Sequence, residues 1–300
     1  MRKWTKIVTE LESGKTLEQI LKLSGFTRKE ISRLKFKNPG MMVNGEKCRS
    51  TVILDEGQEI MFFLDDESSE ADYLHETGRE IHETYKLDIL YEDEDLIIVS
   101  KPSGMSCHPG RAHYHENLGS LVVTYCKEKG EKILIRQIGR LDKDTSGAVV
   151  FAKNRNAAAR LWEQRKNGIF YKKYYVLVHG NMKEKEGMIA EPMEPVPDEK
   201  NRMRTCEEGV QALTKYVVLQ QYKIDGEEFS LLKCSLETGR THQIRVHMAS
   251  IGHPVAGDRF YGMEDGIKRL CLHAGEVELV QPYTQQKIYV EIPVKGIPFE

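Results

Sequence analysis

The stretch Ile138-Gly139-Arg140-Leu141-Asp142-Lys143-Asp144-Thr145-Ser146-Gly147 runs straight into Ala148-Val149-Val150-Phe151-Ala152. The second segment is a continuous apolar run and reads as a buried strand. The first gathers an arginine, two carboxylates, two hydroxyls and two glycines in ten residues. A polar loop held by a rigid sheet is a good way to present one reactive group, here Asp142. The same ten residues also fit a tight turn in which Asp142 or Asp144 caps backbone N–H groups. The rest of the chain has to decide between the two.

Three hundred residues suit one large domain with a small one, or two of medium size. At 40% hydrophobic and 30% charged, the composition is that of an ordinary soluble globular chain rather than a disordered one. No apolar run is long enough to span a bilayer. Met1-Arg2-Lys3-Trp4 is not followed by a signal-peptide core, so a cytoplasmic protein is expected. The cysteines at 48, 107, 126, 206, 234 and 271 form no CxxC pair, which argues against a zinc cluster or disulfide scaffold and fits a reducing compartment. His242, His247 and His253 lie five and six residues apart, not the four that puts two histidines on one helical face, so no metal is expected. There is no nucleotide phosphate loop. No helix shows a heptad seam, so a monomer is expected.

Charge is unevenly distributed. Residues 1–54 carry 12 Lys+Arg against 5 Asp+Glu, while the rest of the chain is net acidic. A basic front end suits a polyanionic partner, although a solvated basic surface has the same composition. Thr16-Leu17-Glu18-Gln19 and Thr27-Arg28-Lys29-Glu30 both read as capping boxes that open short helices. Arg28, Lys29, Arg33, Lys35 and Lys37 cluster on or just after the second. Strands are expected at 41–43, 52–54 and 59–63, with Asn44-Gly45 as a hairpin turn. Two helices followed by a small sheet, and the run from Gly45 to Ile60, resemble the α-L RNA-binding domain over about residues 14–64. That resemblance implies that the five cations meet RNA phosphates. From Asp55 to Asp95 there are 16 carboxylates and 2 Lys+Arg, and residues 65–87 read as an acidic linker.

Beyond it, residues 89–91 and 96–99 read as a strand–turn–strand leading into Lys101-Pro102-Ser103-Gly104 and His108-Pro109-Gly110. Lys101 reads as a surface amine beside a turn. Residues 114–119 suggest a loop, 121–129 a helix, and 157–166 a helix capped by Asn156. Residues 170–179 suggest a strand with Lys172, Tyr174 and Val176 on one face, where Tyr174 either faces a cleft or simply packs. Residues 190–210 form a surface excursion, and 213–219 and 228–236 an antiparallel pair. Thr241 opens a helix carrying Ile244, Met248 and Ile251 inward, with His242, Arg245 and Ala249 on another face. Val255 to Gly262 is a glycine-cornered loop, and 270–274 and 287–292 are late strands.

Four segments, in order, resemble the RluA-type pseudouridine synthases. Gly139–Gly147 is similar to their HRLDxxTSG motif, Lys172–Gly180 to KxYxxxVxG, and Thr238–His247 to TGRTHQIRVH, continued by GhPvxGDxxYG. Lys101–Pro109 fits KPxGxxxHP. One departure is Gly139, which stands where the motif has histidine. The resemblance implies an α+β chain: a pseudouridine synthase fold over 88–300, with a large mixed, mostly antiparallel sheet, flanking helices and a central cleft, plus the α-L domain over 1–64. It implies isomerisation of specific uridines in large-subunit ribosomal RNA or transfer RNA, without a cofactor, on a base flipped out of the RNA. Asp142 is then the catalytic aspartate, Arg245 its ion-pair partner, and Tyr174 the ring stacked on uracil. Arg140 fills the vacated space, Lys172 lies near the RNA backbone, Leu272 packs in the pocket, and His242 and Gln243 orient loops or RNA. A catalytically inactive RNA-binding or ribosome-assembly protein on the same fold is the alternative. A hydrolase using Asp142 with a histidine lacks any signature of an oxyanion hole.

Overall fold

A computed structural model describes residues 2–36, 38–64, 85–108, 117–131, 135–199 and 201–299. Most of the acidic linker, Lys37, Pro109-Gly110 and the start of the 114–119 loop lie outside these residues.

The N-terminal unit is built from β1 (Arg2–Ile7), α1 (Leu17–Leu23), α2 (Arg28–Lys35), β2 (Met42–Val43), β3 (Glu46–Lys47) and β4 (Glu59–Leu64). Both capping boxes form. Gln19 Oε1 accepts from the Thr16 N–H at 2.8 Å, and Glu30 Oε2 from that of Thr27 at 2.6 Å. The strands order β1-β4-β2-β3. Residues 52–54 make only an isolated bridge, Ile53 to Thr16, and β1 takes the place beside β4. The reason is Trp4, which stacks on Phe62 at 4.7 Å and meets Phe26 edge-on, so β1 closes the small core.

The unit is fused to the large domain through that core. Arg160 packs against the rings of Phe26 and Tyr283, 4.1 and 4.2 Å from their centroids, and its Nε donates to Glu30 Oε1 at 3.3 Å. Trp4, Phe26, Phe62 and Tyr283 belong to one continuous buried cluster with Leu161 and Ile288.

The large domain runs β5 (Asp88–Glu92), β6 (Leu96–Lys101), α3 (Leu118–Glu128), β7 (Arg136–Ile138), β8 (Ser146–Ala152), α4 (Arg155–Lys166), β9 (Tyr171–His179), β10 (Glu186–Ile189), β11 (Met193–Pro195), β12 (Met203–Thr205), β13 (Thr214–Ile224), β14 (Glu227–Leu236), α5 (Gln243–Ser250), β15 (Leu272–Val280) and β16 (Lys287–Glu291). Ten strands form one sheet in the order β10-β13-β14-β9-β15-β8-β6-β5, with β16 beside β15 and β7 beside β8. The α+β class and the mostly antiparallel sheet are as expected. The β8–β15 pair is parallel, and it lies where the Asp142 loop enters the sheet.

All seven residues of β8 are buried. Gly147 is required there: at φ +114°, a Cβ on it would fall 2.3 Å from the Ala274 carbonyl oxygen of β15. Asn154, not Asn156, caps α4, its Oδ1 accepting from the Ala157 N–H at 2.7 Å. Asn117 caps α3 in the same way, so that helix starts earlier than its apolar pattern suggests. No helix among the described residues is long and apolar enough to cross a membrane.

Candidate active site

The 139–145 loop is clamped from one side by the Lys101-Pro102-Ser103-Gly104 turn. Lys101 is 1% exposed, not a surface amine. Its Nζ donates to the carbonyls of Pro102, Met105 and Lys143 at 2.7–2.9 Å, and Ser103 Oγ donates to the Asp144 carbonyl. Burial pulls its ammonium down to about 8. The loop is therefore fixed through its backbone, which leaves the Asp142 side chain free. Among the described residues that carboxylate accepts no hydrogen bond; its contacts are Arg245 Nη1 and His242 Nε2, each 3.9 Å from Oδ2. A tight turn does form, the Thr145 N–H donating to the Asp142 carbonyl at 3.2 Å, but among the described residues no backbone N–H reaches the Asp142 carboxylate.

Both contacts come from the start of α5. That helix begins at Gln243 rather than Thr241, because His242 takes a left-handed conformation, φ 55°. Gln243 enforces this corner. Its Oε1 accepts from the Arg240 N–H and the Thr238 hydroxyl, and its Nε2 donates to the Leu213 carbonyl and Thr214 Oγ1. With its amide fully engaged, Gln243 orients the loop and has no donor left for RNA.

The Tyr261 oxygen accepts from the Met203 N–H at 2.9 Å and is hydrogen-bonded to His242 Nδ1 at 2.8 Å, which leaves His242 Nε2 facing Asp142. Burial holds the imidazole pKa below its usual value.

Arg245 faces two carboxylates, Asp142 and Asp258. Its Nε and Nη2 form a bidentate pair with Asp258 at 2.7 Å each, and only Nη1 turns toward Asp142. Asp258 Oδ1 also accepts from the N–H groups of Phe260 and Tyr261. Thus Asp258, the aspartate of the GDxxYG segment, to which the sequence assigns no role, aims the arginine that faces Asp142.

Tyr174 from β9 and Leu272 from β15 line the same pocket, with Arg140, Thr145, Arg165 and Arg240. Burial pushes the Tyr174 phenol up to about 12. It presents a ring face and an intact O–H at neutral pH, not a phenolate. The Thr145 hydroxyl is buried in the wall and has no hydrogen-bond partner among the described residues. Arg140 is exposed at the rim. Among the described residues Arg140, Arg165 and Arg240 have no carboxylate partner, so the pocket carries an excess of positive charge around Asp142.

Lys172 does not reach the surface. It shares the buried face of β9 with Tyr174 and Val176, and its Nζ donates to the Ala148 carbonyl at 2.9 Å. Burial lowers its pKa to about 7. An amine titrating near 7 when folded and near 10.5 when unfolded binds fewer protons in the folded state between those values. Its contribution to stability is therefore greatest above pH 10.5 and lost as pH falls toward 7. Lys172→Met removes that dependence. Urea unfolding should show the variant gaining on the parent at pH 6.5 relative to pH 9.5; a pH-independent difference would count against a neutral buried amine.

On α2, Arg28, Lys29 and Arg33 are exposed, whereas Lys35 is bound to Glu18 at 3.1 Å and so is a weaker candidate for RNA. Among the described residues no His/Cys/Asp/Glu group could hold a metal ion.

Residues 95–250 match the RNA pseudouridylate synthase family. An uncharacterized RNA pseudouridine synthase of Bacillus subtilis, YhcT, is 34% identical over 96% of this chain and 92% of its own. The ribosomal large subunit pseudouridine synthase D of Nitrosomonas europaea is 38% identical over 71% of this chain and 63% of its own. The solved structure of human RNA pseudouridylate synthase domain containing 1 superposes with a TM-score of 0.58 at 28% identity, over 69% of this chain and 83% of that one.

Proposed function

This chain belongs to the RNA pseudouridine synthases and is an isomerase, and from that premise we propose that Asp142 carries the reaction on uridines of large-subunit ribosomal RNA or transfer RNA. The observation behind this reading is the bare Asp142 carboxylate, held by its backbone in a pocket lined by Tyr174, Leu272 and arginines. Ribosomal RNA is favoured by the name of the Nitrosomonas relative.

In the reaction the N1–C1′ bond breaks, the uracil turns, and C5 bonds to C1′. The C5 proton leaves and N1 gains one, so the net change is an isomerisation. Asp142 either attacks C1′ or stabilises the cationic sugar as uracil departs. Tyr174 supplies a ring face for the turning base. Leu272 walls the pocket, and Arg140, exposed at its rim, enters the space left by the extruded base. His242 presents Nε2 toward the carboxylate at 3.9 Å. Release of tritium from RNA labelled at uracil C5 tests the reading directly. Release that keeps pace with pseudouridine formation supports it; no release from ribosomal or transfer RNA would refute it.

The exposed face of α2 is the proposed RNA-binding surface of residues 1–64, with phosphates positioned by Arg28, Lys29 and Arg33. Deleting the unit is a poor test, because Phe26 and Glu30 hold Arg160 of the large domain. Changing all three cations to glutamate leaves that face intact. It should weaken RNA binding at 0.1 M salt by at least about tenfold, with kcat at saturating RNA unchanged. Unaltered affinity in a binding titration would rule out this surface.

A further inference from the structure

The pocket contains one cation that no motif predicts. Arg165 lies in the last turn of α4, and its guanidinium reaches the wall shared by the Asp142 pocket and the neighbouring groove, which is lined by Trp162, Lys173 and Glu237. Its path is opened by two glycines. A Cβ on Gly139 would lie 1.9 Å from Arg165 Nη1, and one on Gly239 would lie 2.8 Å from Nη2. Trp162 flanks it, 5.7 Å from ring centroid to guanidinium carbon. Among the described residues it has no carboxylate partner. A half-buried guanidinium without a counter-ion, admitted by two missing side chains, is poised to receive an anion.

We propose that Arg165 binds the backbone phosphate of the uridine being isomerised. The proposal rests on the isomerase reading and adds a residue to it. Uracil and ribose are neutral, so a phosphate is the charge that a uridine nucleotide brings to the pocket. The planar fork of an arginine suits two phosphate oxygens at once. The groove on the far side of Arg165 provides a path for the strand entering or leaving the pocket. The proposal also explains Gly139. A histidine at that position would push the Arg165 guanidinium out of its present place, so glycine in the loop and arginine on α4 act together. Positive φ, +74°, is a second reason for glycine at 139.

The test is the salt dependence of binding to unmodified large-subunit ribosomal RNA and transfer RNA transcripts. Parent, Arg165→Gln and Arg165→Lys are compared, with circular dichroism as a check on folding. Losing one phosphate contact should make the slope of log K against log salt shallower by about 0.7–0.9 in Arg165→Gln, while Arg165→Lys keeps the parent slope at lower affinity. Gly139→Ala should lower affinity in the parent and lower it less in the Arg165→Gln background. Equal slopes for parent and Arg165→Gln on both transcripts, or equal losses in the glutamine and lysine variants, would overturn the proposal. Tritium release from the same transcripts is scored separately. Binding without release would refute the isomerase reading, and the slopes would still decide the phosphate contact.

Discussion

Asp142→Asn is expected to abolish pseudouridine formation while the protein stays folded and bound to RNA. The amide has the size of the carboxylate but neither its charge nor its nucleophilicity. Removing a single reacting group of this kind lowers turnover by about a thousandfold or more, about 4 kcal/mol in the barrier. Stability should barely move, because the carboxylate accepts no hydrogen bond among the described residues and its two cationic or polar neighbours are 3.9 Å away. The loop is held instead by Lys101 and Ser103 acting on backbone carbonyls, which the substitution leaves in place. RNA affinity should hold or rise, since the variant adds one unit of positive charge to a pocket already rich in arginine. Single-turnover product formation, thermal unfolding and an RNA titration on the same preparation separate these effects. Turnover within tenfold of the parent would remove Asp142 from the chemistry. Lost binding or a large fall in Tm would make it a structural residue instead.

Why so much of this site was legible, and where legibility stopped, follows from the range of the interactions. The apolar run of β8 and the two capping boxes are local patterns, and they form as read. The motifs that carry the resemblance contain Asp142, Tyr174 and Arg245, and the fold brings these three side chains to one place together with Leu272, which lies outside the motifs. What the sequence hides is pairing at a distance. Lys101 and Lys172 are residue types that belong on surfaces, and only the folded chain shows the carbonyls that accept from them. Strand β1 has no strong period of its own and depends on β4, more than fifty residues away. The Gln243 amide looks available until the 238–241 corner closes over it. Arg165 gives no local signal at all, since it sits among polar residues near the end of α4, and the sequence does not show that Gly139 lies against its guanidinium. Arg160 is likewise an ordinary helix arginine that turns out to join the two units.

Arg245→Ala should unfold the protein more readily than any other single change in the site. The Arg245 side chain is 4% exposed and that of Asp258 0%, and each holds the other by two bonds of 2.7 Å. Truncating the arginine strands a buried carboxylate whose remaining partners are the backbone N–H groups of Phe260 and Tyr261. Breaking such a pair by removing one member costs about 3–5 kcal/mol. Activity should fall as well, because the cation facing Asp142 is gone and the Tyr261 contact to His242 loses its anchor. The two losses can be told apart. Asp258→Asn keeps the arginine but replaces a bidentate acceptor with an amide, so it should lower stability and let Arg245 swing away from its present aim on Asp142. Arg245→Lys retains a charge without the fork and should fall between parent and alanine. Combining Arg245→Ala with Asp258→Asn removes both charges, so urea unfolding of the double variant should show a loss well below the sum of the single losses. Strict additivity, or an Arg245→Ala variant within about 1 kcal/mol of the parent, would mean that the pair does not hold this loop. The catalytic role of Arg245 would then have to rest on its 3.9 Å approach to Asp142 alone.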